Sequence, residues 1–403
     1  MSTEEIAIAH EHYFAQCDAL ADIIQSHEDE LITLLCQYET YESAKDEVMR
    51  TLEALHGMRD EVGAVKEPLT GLTVSTFFPL NLPLYSLIIF GIAPSVFAKQ
   101  VFIRPPEIMH GILTSLWDVL HISGLFPDIS LQATPRHIFV QLYAQESDVI
   151  IFTGRYENAL AIHEQCPYAL LIYNGSGVNP LLLFDNADVD LAARKAVEMR
   201  CFNSGQDCAG PDAFFVPSQL ADEFVDKLKT ILQTIKVGDS SDPSVRVGRT
   251  MKQAYITELK QWLENEKEFM VFGGEIEERS HLVHPAIIRK KLSQLTENYA
   301  FHEFFAPYFY VIEYDNDAEL EKVLLSKPFM DRGMYISVFG DNPKLEAKLT
   351  FVQLLKNVIV NDVEQGNQQY GGFGIHANFL LYGDKTVVHP ILISRDIHEM
   401  LSS

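Results

Sequence analysis

A chain of 403 residues, 47% of them apolar and 22% charged, has the composition of a globular protein and is long enough for two domains with separate cores. Its formal net charge of −25 argues against sequence-independent binding to nucleic acid or to an anionic membrane. The five cysteines are odd in number and form no C-x-x-C pair, so they predict neither a disulfide framework nor a zinc site, and a cytoplasmic location is expected.

The N-terminal residues do not predict a signal peptide, because no basic region precedes an apolar one. The longest apolar run spans residues 82–98, and it is interrupted by Pro83, Gly91 and Pro94. That length is at the lower limit for a membrane span, so a buried helix that leads into a strand is the better interpretation. We therefore expect neither nucleic acid nor a membrane as a partner.

Residues 1 to about 60 predict acidic amphipathic helix, because Ile24, Leu31, Leu34 and Leu35 recur at helical spacing. From about residue 66, strands and helices alternate. Apolar runs predict strands at 72–78, 101–104, 148–152 and 170–173. Helices are predicted at 82–98, 106–123 and 155–164. This alternation predicts a parallel sheet with right-handed crossovers.

The second half of the chain shows the same alternation. Asp188 or a neighbour is expected to cap a helix that ends near Arg200. The elements predicted after it are a strand at 213–216, a helix at 218–236, and strands at 269–272, 308–312, 334–339 and 358–361. The segment 386–394 also has strand character, and a terminal strand of this kind often pairs with a sheet of the same chain or of another subunit.

One thiol lies in a setting that favours chemistry. Cys208 follows the polar turn F-N-S-G-Q-D, between a predicted helix and a predicted strand. A substrate can reach a cysteine there, backbone N–H groups can point at the atom that the sulfur attacks, and positive or dipolar surroundings would depress its pKa. The alternative is a buried cysteine that packs as a small hydrophobic side chain, which is the interpretation we favour for Cys201.

Three further segments carry polar groups at predicted strand ends. Asn81, between two prolines, either caps the next helix or offers its side-chain N–H to an oxyanion. The turn 153–155 can present N–H groups to a phosphate, and 104–107 can meet phosphate and ribose, since ligands collect at the carboxyl edge of parallel sheets. The alternatives are an ordinary turn and a surface Arg–Glu pair. There is no G-x-G-x-x-G, and no histidine spacing predicts a metal site.

Taken together, these segments resemble motifs of the aldehyde dehydrogenase superfamily, in the order of that family. The similar segments are P-L-N-L-P at 79–83, R-P-P-E at 104–107, F-T-G-R at 152–155, the segment 179–190, F-N-S-G-Q-D-C at 202–208, E-F-F-A-P at 303–307, Y-G-G-F-G at 370–374 and Y-G-D-K-T-V-V at 382–388. Arg104, Arg155 and Ala306 stand where the family has lysine, serine and glycine.

The resemblance implies an α/β fold like that of aldehyde dehydrogenases. Two α/β domains with open, mostly parallel sheets are expected, together with a C-terminal oligomerisation strand. The implied ranges are 1–65 for an N-terminal helical part of the cofactor domain, 66–174 for the nicotinamide-dinucleotide-binding domain, 175–365 for the catalytic domain, and 366–403 for a return segment and oligomerisation arm.

The resemblance also implies roles for individual residues, with Cys208 as the nucleophile and Asn81 as the group that stabilises the oxyanion. The implied cofactor contacts are Arg104 and Glu107 at the adenosine ribose, Thr153, Gly154 and Arg155 at the pyrophosphate, and Glu303 and Phe305 at the nicotinamide ribose. The cofactor is NAD or NADP, and NAD is slightly favoured because a Glu107 carboxylate would repel a 2′-phosphate. The expected substrate is a small aldehyde or acyl compound.

The most informative departure from the family pattern is Asn174. Counting back from Asn179-Pro180, the general-base glutamate of hydrolytic members falls on this asparagine, within the segment 174–178. An amide cannot accept a proton as a general base. The segment instead resembles the acylating branch, which implies acyl transfer to or from a thiol such as coenzyme A. The stretch before Pro79 is short for the family's oligomerisation hairpin, so a homodimer is expected.

Two other functions stay open at this point. A substitute base, such as Glu303 or His302, would permit a hydrolytic aldehyde dehydrogenase that makes a carboxylate. Alternatively, a degenerate family member would act as a binding or scaffold protein. The retention of Cys208, Asn81 and Glu107 argues against that second alternative.

Overall fold

A computed structural model describes residues 3–63, 71–174, 178–251, 253–295, 303–333, 335–350, 352–359, 361–362, 367–368, 374–376, 379–382, 385–387 and 390–392. The chain forms two compact units. The first contains residues 1–35, 44–175 and 369–403, and the second contains 36–43 and 176–368. Within the described ranges, no helix has both the length and the apolar composition needed to cross a membrane.

The helices alternate with strands along most of the chain. They are α1 (Thr3–Ser26), α2 (Glu28–Leu35), α3 (Tyr41–Gly63), α4 (Pro83–Leu87), α5 (Ala93–Ser95), α6 (His110–Val119), α7 (Ile122–Leu125), α8 (Arg136–Leu142), α9 (Tyr156–Gln165), α10 (Val189–Arg200), α11 (Ser218–Leu232), α12 (Gln253–Asn265), α13 (Asp317–Leu324), α14 (Lys327–Arg332) and α15 (Pro343–Glu346). The acidic region predicted as helix up to about residue 60 therefore contains three helices, α1 to α3.

The strands are mostly short. They are β1 (Leu72–Phe77), β2 (Ala98–Arg104), β3 (Ile129–Leu131), β4 (Val149–Phe152), β5 (Leu170–Tyr173), β6 (Pro180–Leu183), β7 (Ala213–Pro217), β8 (Met270–Gly273), β9 (Ile276–Glu277), β10 (Leu282–Val283), β11 (Ala286–Lys291), β12 (Tyr308–Tyr314), β13 (Tyr335–Phe339), β14 (Gln353–Lys356), β15 (Asn361–Asp362), β16 (Asn367–Gln368), β17 (Gly374–His376), β18 (Phe379–Tyr382), β19 (Lys385–Val387) and β20 (Pro390–Leu392).

The sheet of the first unit has a parallel core in the order β5-β4-β1-β2-β3. All residues of β4 and β5 are buried, which explains why both read as continuous apolar runs in the sequence. After β3 the chain returns to the other side of β1, so the strand order reverses between β1 and β4. The carboxyl ends of strands at such a point leave a crevice for ligands. The predicted parallel sheet is confirmed, although the sequence did not predict β3.

The apolar run 82–98 is not one regular helix. A π-helical turn, Ile88–Ile92, separates α4 from α5, and β2 begins at Ala98. The turn packs closely on β2, because a Cβ added to Gly91 would lie 2.7 Å from Cδ1 of Ile103. A larger residue there would require the Ile103 side chain to shift, so glycine permits the close approach of the helical segment to the sheet.

The sheet of the second unit has the order β14-β13-β6-β7-β12-β11-β8, and every pair is parallel except β11–β8. Asp188 caps α10 as predicted, because its carboxylate accepts a hydrogen bond from the Leu191 N–H at 2.9 Å. The sequence did not predict β6 and β11, and the strand predicted at 358–361 is wrong. The strand that pairs with β13 is β14, which starts five residues earlier.

The C-terminal strands pair within the same chain. β18 runs antiparallel to β5 at the edge of the first sheet, and β19 runs antiparallel to β18. Within the predicted strand 386–394, the described residues form the end of β19 and all of β20, which pairs with β17. Most of the similar segment 370–374 lies outside the described residues, and oligomerisation by this arm stays a prediction.

Candidate active site

The loop that carries Cys208 begins with an unusual backbone. After α10, residues Phe202–Gly205 form a 3-10 turn in which Asn203, Ser204 and Gly205 have φ values of 45°, 60° and 78°. Three successive left-handed residues, two of them not glycine, cost free energy and persist only where tertiary contacts hold them. Gly205 is required, because a Cβ there would collide with the backbone carbonyl of Ala306. The two motifs predicted at 202–208 and 303–307 therefore meet in the structure.

Hydrogen bonds from outside the loop fix each part of this turn. The Asn203 N–H donates to Oγ of Ser43 at 2.9 Å, and the Gly248 N–H donates to Oγ of Ser204 at 2.8 Å. The side chain of Gln206 accepts from the Met251 N–H at 2.9 Å, and it donates to the carbonyl of Arg249 at 3.1 Å. These contacts provide the tertiary support that the left-handed residues need.

A buried arginine lies beneath the loop. The guanidinium of Arg200 is fully buried and donates to the carbonyls of Gly205 and Phe304 and, at 3.2 Å, to the carboxylate of Asp212. Asp212 also accepts the Phe304 N–H at 2.9 Å. Burial raises the pKa of Asp212 to about 7, although Arg200 and the Phe304 N–H act in the opposite direction. Sequence reasoning missed this pair, and only the length of α10 indicated where Arg200 lies.

Cys208 itself is half-buried, and its backbone carbonyl accepts a hydrogen bond from the Asn179 side chain. Burial raises the pKa of the Cys208 thiol well above its usual value, and the carboxylates of Asp207 and Glu303 raise it further. Burial and these carboxylates therefore act against the lowered pKa that a thiolate nucleophile needs. Without a ligand, the thiol form is favoured at neutral pH.

The carboxyl edge of the first sheet gathers several of the predicted cofactor residues. Arg104, Phe77, Phe152 and Tyr173 are neighbours across β2, β1, β4 and β5. Both the N–H and the hydroxyl of Thr153 donate to the carbonyl of Phe77, at 3.2 and 2.7 Å, which fixes the turn after β4 against the end of β1. The predicted segments 104–107 and 153–155 thus lie at one edge of one sheet.

The turn after β4 has the features of an anion site. Gly154 has a φ of 145° and is exposed, as is Arg155. Arg155 is the N-cap of α9, and no side-chain capping hydrogen bond forms there, so the positive end of the helix dipole lies at this turn. Burial and the positive charge of Arg136 lower the pKa of Arg104, which indicates two neighbouring cations at this edge. Arg136, at the start of α8, was not among the residues predicted from the sequence.

Asn81 does not cap the next helix. The N-cap of α4 is Leu82, which has a left-handed φ of 49°, and no side chain caps it. Asn81 is 6% exposed, and its backbone carbonyl accepts the Ser86 hydroxyl at 3.4 Å. The helix-cap alternative is therefore wrong, while the proposed oxyanion role of this side chain stays a prediction.

Asn174 ends the row of strand termini on the first sheet. Its N–H donates to the carbonyl of Phe152 at 2.8 Å, and it is only 7% exposed. Neither its side-chain oxygen nor its side-chain nitrogen has a hydrogen-bond partner among the described residues. A buried amide without a partner costs about 1–3 kcal/mol, so the Asn174 amide is expected to have a hydrogen-bonding partner beyond the described residues. Residues 175–177 lie outside the described part of the chain.

The predicted nicotinamide contacts belong to the second unit. Glu303 and Phe305 are both half-buried, and the ring of Phe305 stacks on Tyr255 with centroids 6.0 Å apart and planes 20° apart. Tyr255 was not predicted. His302 lies outside the described residues. Where the structure describes the chain, no group of three potential metal-ligating side chains occurs.

Comparison of the sequence with known proteins finds aldehyde dehydrogenases. The family model for the aldehyde dehydrogenase family matches residues 14–374. A probable succinate-semialdehyde dehydrogenase [NADP(+)] of Sinorhizobium fredii is 27% identical over 212 residues, which is 49% of this chain and 41% of that protein. A succinate-semialdehyde dehydrogenase [NADP(+)] of Mycobacterium leprae is 26% identical over 279 residues, or 60% of this chain and 58% of that protein. This chain therefore spans about half the length of these curated relatives.

Solved structures with the same fold cover more of the chain. Succinic semialdehyde dehydrogenase from Streptococcus pyogenes, in complex with NADP+, superposes with a TM-score of 0.76 at 18% identity and covers 88% of this chain and 86% of its own. An NAD-dependent benzaldehyde dehydrogenase from Corynebacterium glutamicum gives a TM-score of 0.75 at 20% identity, with coverages of 91% and 84%. At these identities the likeness shows the fold alone.

Proposed function

This chain belongs to the aldehyde dehydrogenase family, and we propose that it is an NAD(P)-dependent oxidoreductase that exchanges an acyl group between Cys208 and a thiol. In one direction it would oxidise an aldehyde, and in the other it would reduce an acyl thioester. The observation that carries this proposal is the buried amide of Asn174 in the position expected for the general base.

The covalent steps of the proposed reaction use Cys208. After the thiol loses its proton to solvent, the thiolate forms a bond to the aldehyde carbon, and the carbonyl electron pair moves to oxygen. We assign stabilisation of this oxyanion to the side chain of Asn81 and to the Cys208 N–H. When the carbon loses hydride, a thioester remains on Cys208. A second thiolate then attacks that carbon, the bond to Sγ breaks, and Cys208 is restored as a thiolate.

Asn174 supports the choice of a thiol as acyl acceptor. Hydrolysis of a thioester needs a base that takes a proton from water, and a carboxamide cannot do this at neutral pH. A thiol acceptor needs less help, because an appreciable fraction of it ionises near neutral pH and thiolates are strong nucleophiles. The amide of Asn174, which has no side-chain partner among the described residues, would instead act as a hydrogen-bonding group for a ligand.

The residues at the carboxyl edge of the first sheet fit a nicotinamide dinucleotide. The exposed turn at Gly154 and the start of α9 would hold the pyrophosphate, and Arg104 with Glu107 would meet the adenosine ribose. The cofactor, when bound, supplies the acceptor of hydride. Glu107 favours NAD, whereas Arg104 and Arg136 favour the 2′-phosphate of NADP, so titration of the wild type and of Arg136→Ala with both cofactors would identify the determinant.

The decisive experiment is single-turnover hydride transfer with a panel of aldehydes, including succinate semialdehyde because relatives are named for it. We expect one burst of reduced cofactor that becomes steady turnover when coenzyme A is added. Cys208→Ser should abolish both, while Cys201→Ala, at another buried cysteine, should retain them. Equal activity of Cys208→Ser would overturn the mechanism. Failure to bind either cofactor, together with an unreactive Cys208, would favour a scaffold protein.

A hydrolytic aldehyde dehydrogenase is the second candidate. The observation in its favour is the electrostatic effect of the Glu303 carboxylate on Cys208, which indicates a carboxylate near the thioester. Steady formation of reduced cofactor without any thiol acceptor, lost in Glu303→Gln, would support this function and contradict the first one. For the assembled protein we propose a cytoplasmic homodimer, which light scattering would test.

A further inference from the structure

A short segment from the N-terminal region belongs to the second unit. Residues 36–43 comprise the link after α2 and the first three residues of α3, and they group with residues 176–368, not with their neighbours in the sequence. Two contacts attach this segment. The Tyr41 N–H donates to the carbonyl of Ser240 at 2.8 Å, and Glu42 forms an ion pair with Arg246.

The same segment reaches Asn203, the first left-handed residue of the loop at 202–208 that carries Cys208, called the cysteine loop from here on. Oγ of Ser43 accepts the Asn203 N–H at 2.9 Å, and Oε1 of Glu39 accepts the Asn203 side-chain N–H at 3.3 Å. Glu39, Ser43 and Asn203 are 1%, 1% and 0% exposed, so water cannot replace these acceptors. Thr40 lies within 2.9 Å of the Ser43 hydroxyl and orients it.

We propose that Ser43 and Glu39 are positioning residues that hold the Asn203–Gly205 turn in its left-handed form and thereby aim Cys208. The catalytic importance of this role rests on the proposed function. The geometry of the loop, however, can be probed without any turnover. Neither residue touches the reacting atoms. They act through Asn203.

The left-handed backbone of the turn makes this support necessary. An asparagine and a serine in the left-handed region in succession are unfavourable, and without an acceptor the buried Asn203 N–H would be left unpaired. The Asn203 carbonyl accepts the Gln206 N–H at 2.9 Å, so the conformation of Asn203 sets the course of the chain toward Cys208. Ser204, Gln206 and Arg200 support later parts of the loop, and Ser43 supports its start.

The test compares Ser43→Ala with Ser147→Ala. Ser147 is a matched control, because it is a buried serine with two side-chain hydrogen bonds at the start of β4, away from the carboxyl edge of that sheet. The first readout is the pH profile of Cys208 alkylation by iodoacetamide, followed by mass spectrometry. The second is the single-turnover rate of hydride transfer together with the KM for cofactor.

In Ser43→Ala we expect a loosened loop, which changes the rate of Cys208 alkylation and the rate of hydride transfer in opposite directions. Alkylation at neutral pH becomes faster, because a thiol released from burial and from nearby carboxylates ionises more easily. Hydride transfer becomes slower by about tenfold or more with an unchanged cofactor KM, since a misplaced nucleophile loses rate. Ser147→Ala should change neither readout, and Glu39→Gln, which keeps an acceptor oxygen, should change them less than Glu39→Ala.

A second-site variant makes the test specific. If the lost support is for a left-handed residue, then Asn203→Gly in the Ser43→Ala background should recover part of the transfer rate, because glycine adopts that conformation freely. The proposal would be overturned if Ser43→Ala is alkylated and transfers hydride as the wild type does. It would also be overturned if Asn203→Gly recovers none of the lost transfer rate. If the wild type transfers no hydride at all, the proposed function fails, and the alkylation profile alone decides the positioning role.

Discussion

The carboxyl edge of the first sheet and the cysteine loop of the second unit are built in opposite ways. At the sheet edge, Glu107, Gly154 and Arg155 are exposed, and the start of α9 has no capping side chain. In the cysteine loop, by contrast, Asn203, Ser204 and Gln206 are at most 2% exposed, and the side chain of Ser43 and the backbone of residues 248–251 hold them.

The difference shows how each region uses its hydrogen-bonding groups. The edge of the first sheet presents an exposed glycine turn and a helix start without a side-chain cap, which suits an anionic ligand. The cysteine loop uses its own polar groups to maintain a strained backbone, which leaves the thiol as its reactive group. A change at the edge should therefore alter ligand affinity, and a change in the loop should alter stability and rate.

The largest effect is expected for Arg200→Met. It leaves Asp212 and three carbonyls, those of Gly205, Phe304 and Pro211, without their buried donor, so we expect a loss of about 3–5 kcal/mol in the free energy of unfolding. Arg59→Met is the matched control, since the Arg59 pair with Glu11 is exposed and such a pair contributes about 0–1 kcal/mol. Urea unfolding measures both variants. Similar losses in the two would show that the loop does not depend on its buried arginine.

Glycine substitutions compare the two regions directly. Gly205→Ala forces a Cβ against the Ala306 carbonyl, and we expect it to slow hydride transfer by about a hundredfold through displacement of the loop. Gly154→Ala brings a Cβ to 3.1 Å from the Phe152 ring, and it should weaken cofactor binding by about tenfold through backbone strain. Alkylation of Cys208 should change only in Gly205→Ala. The reverse assignment of these effects would contradict the comparison.

A smaller effect is expected from the charge beside the thiol. The Asp207 carboxylate raises the pKa of Cys208, so Asp207→Asn should speed alkylation at neutral pH several-fold while the side-chain oxygen still accepts the Ala209 N–H. The exposed Asp226→Asn on α11 provides the control. Alkylation that is equally fast in wild type and Asp207→Asn would show that this carboxylate does not affect the reactivity of the Cys208 thiol.

The last prediction concerns the pH dependence of stability. The pKa of Asp212 is raised in the folded protein from 3.8 to about 7. The folded state therefore binds more protons than the unfolded state between these pH values, so this residue's contribution to stability falls as the pH rises from about 4 to 7. In Asp212→Asn the difference in unfolding free energy between pH 5 and pH 8 should shrink. An unchanged difference would show that Asp212 does not titrate in this range.

Local sequence pattern predicted the first sheet better than the cysteine loop. The strands predicted at 101–104, 148–152 and 170–173 end at the residues where β2, β4 and β5 end, because buried parallel strands are continuous apolar runs. Their ends brought Arg104 and Thr153 to one edge, as the sequence analysis expected. The catalytic and binding roles of these residues stay predictions.

Tertiary contacts, and not local sequence pattern, determine which strand pairs with β13 and what holds Asn203. The β-branched stretch 358–361 has the stronger strand propensity, but the chain turns at Asn357, whose φ is 56°, and β13 pairs with the preceding residues instead. The support of Asn203 by Ser43 was equally invisible, because it joins residues 160 positions apart and neither has a distinctive local pattern.

The attachment of residues 36–43 has a consequence for how the protein folds. Closing a loop of some 160 residues is entropically costly, and contacts between positions so far apart in sequence form slowly. The segment is synthesised early and must wait for α10 and the residues after it before Ser43 can meet Asn203. The turn that leads to Cys208 is therefore expected to be among the last parts of the second unit to reach its final geometry, so a newly made molecule orients this thiol late in folding.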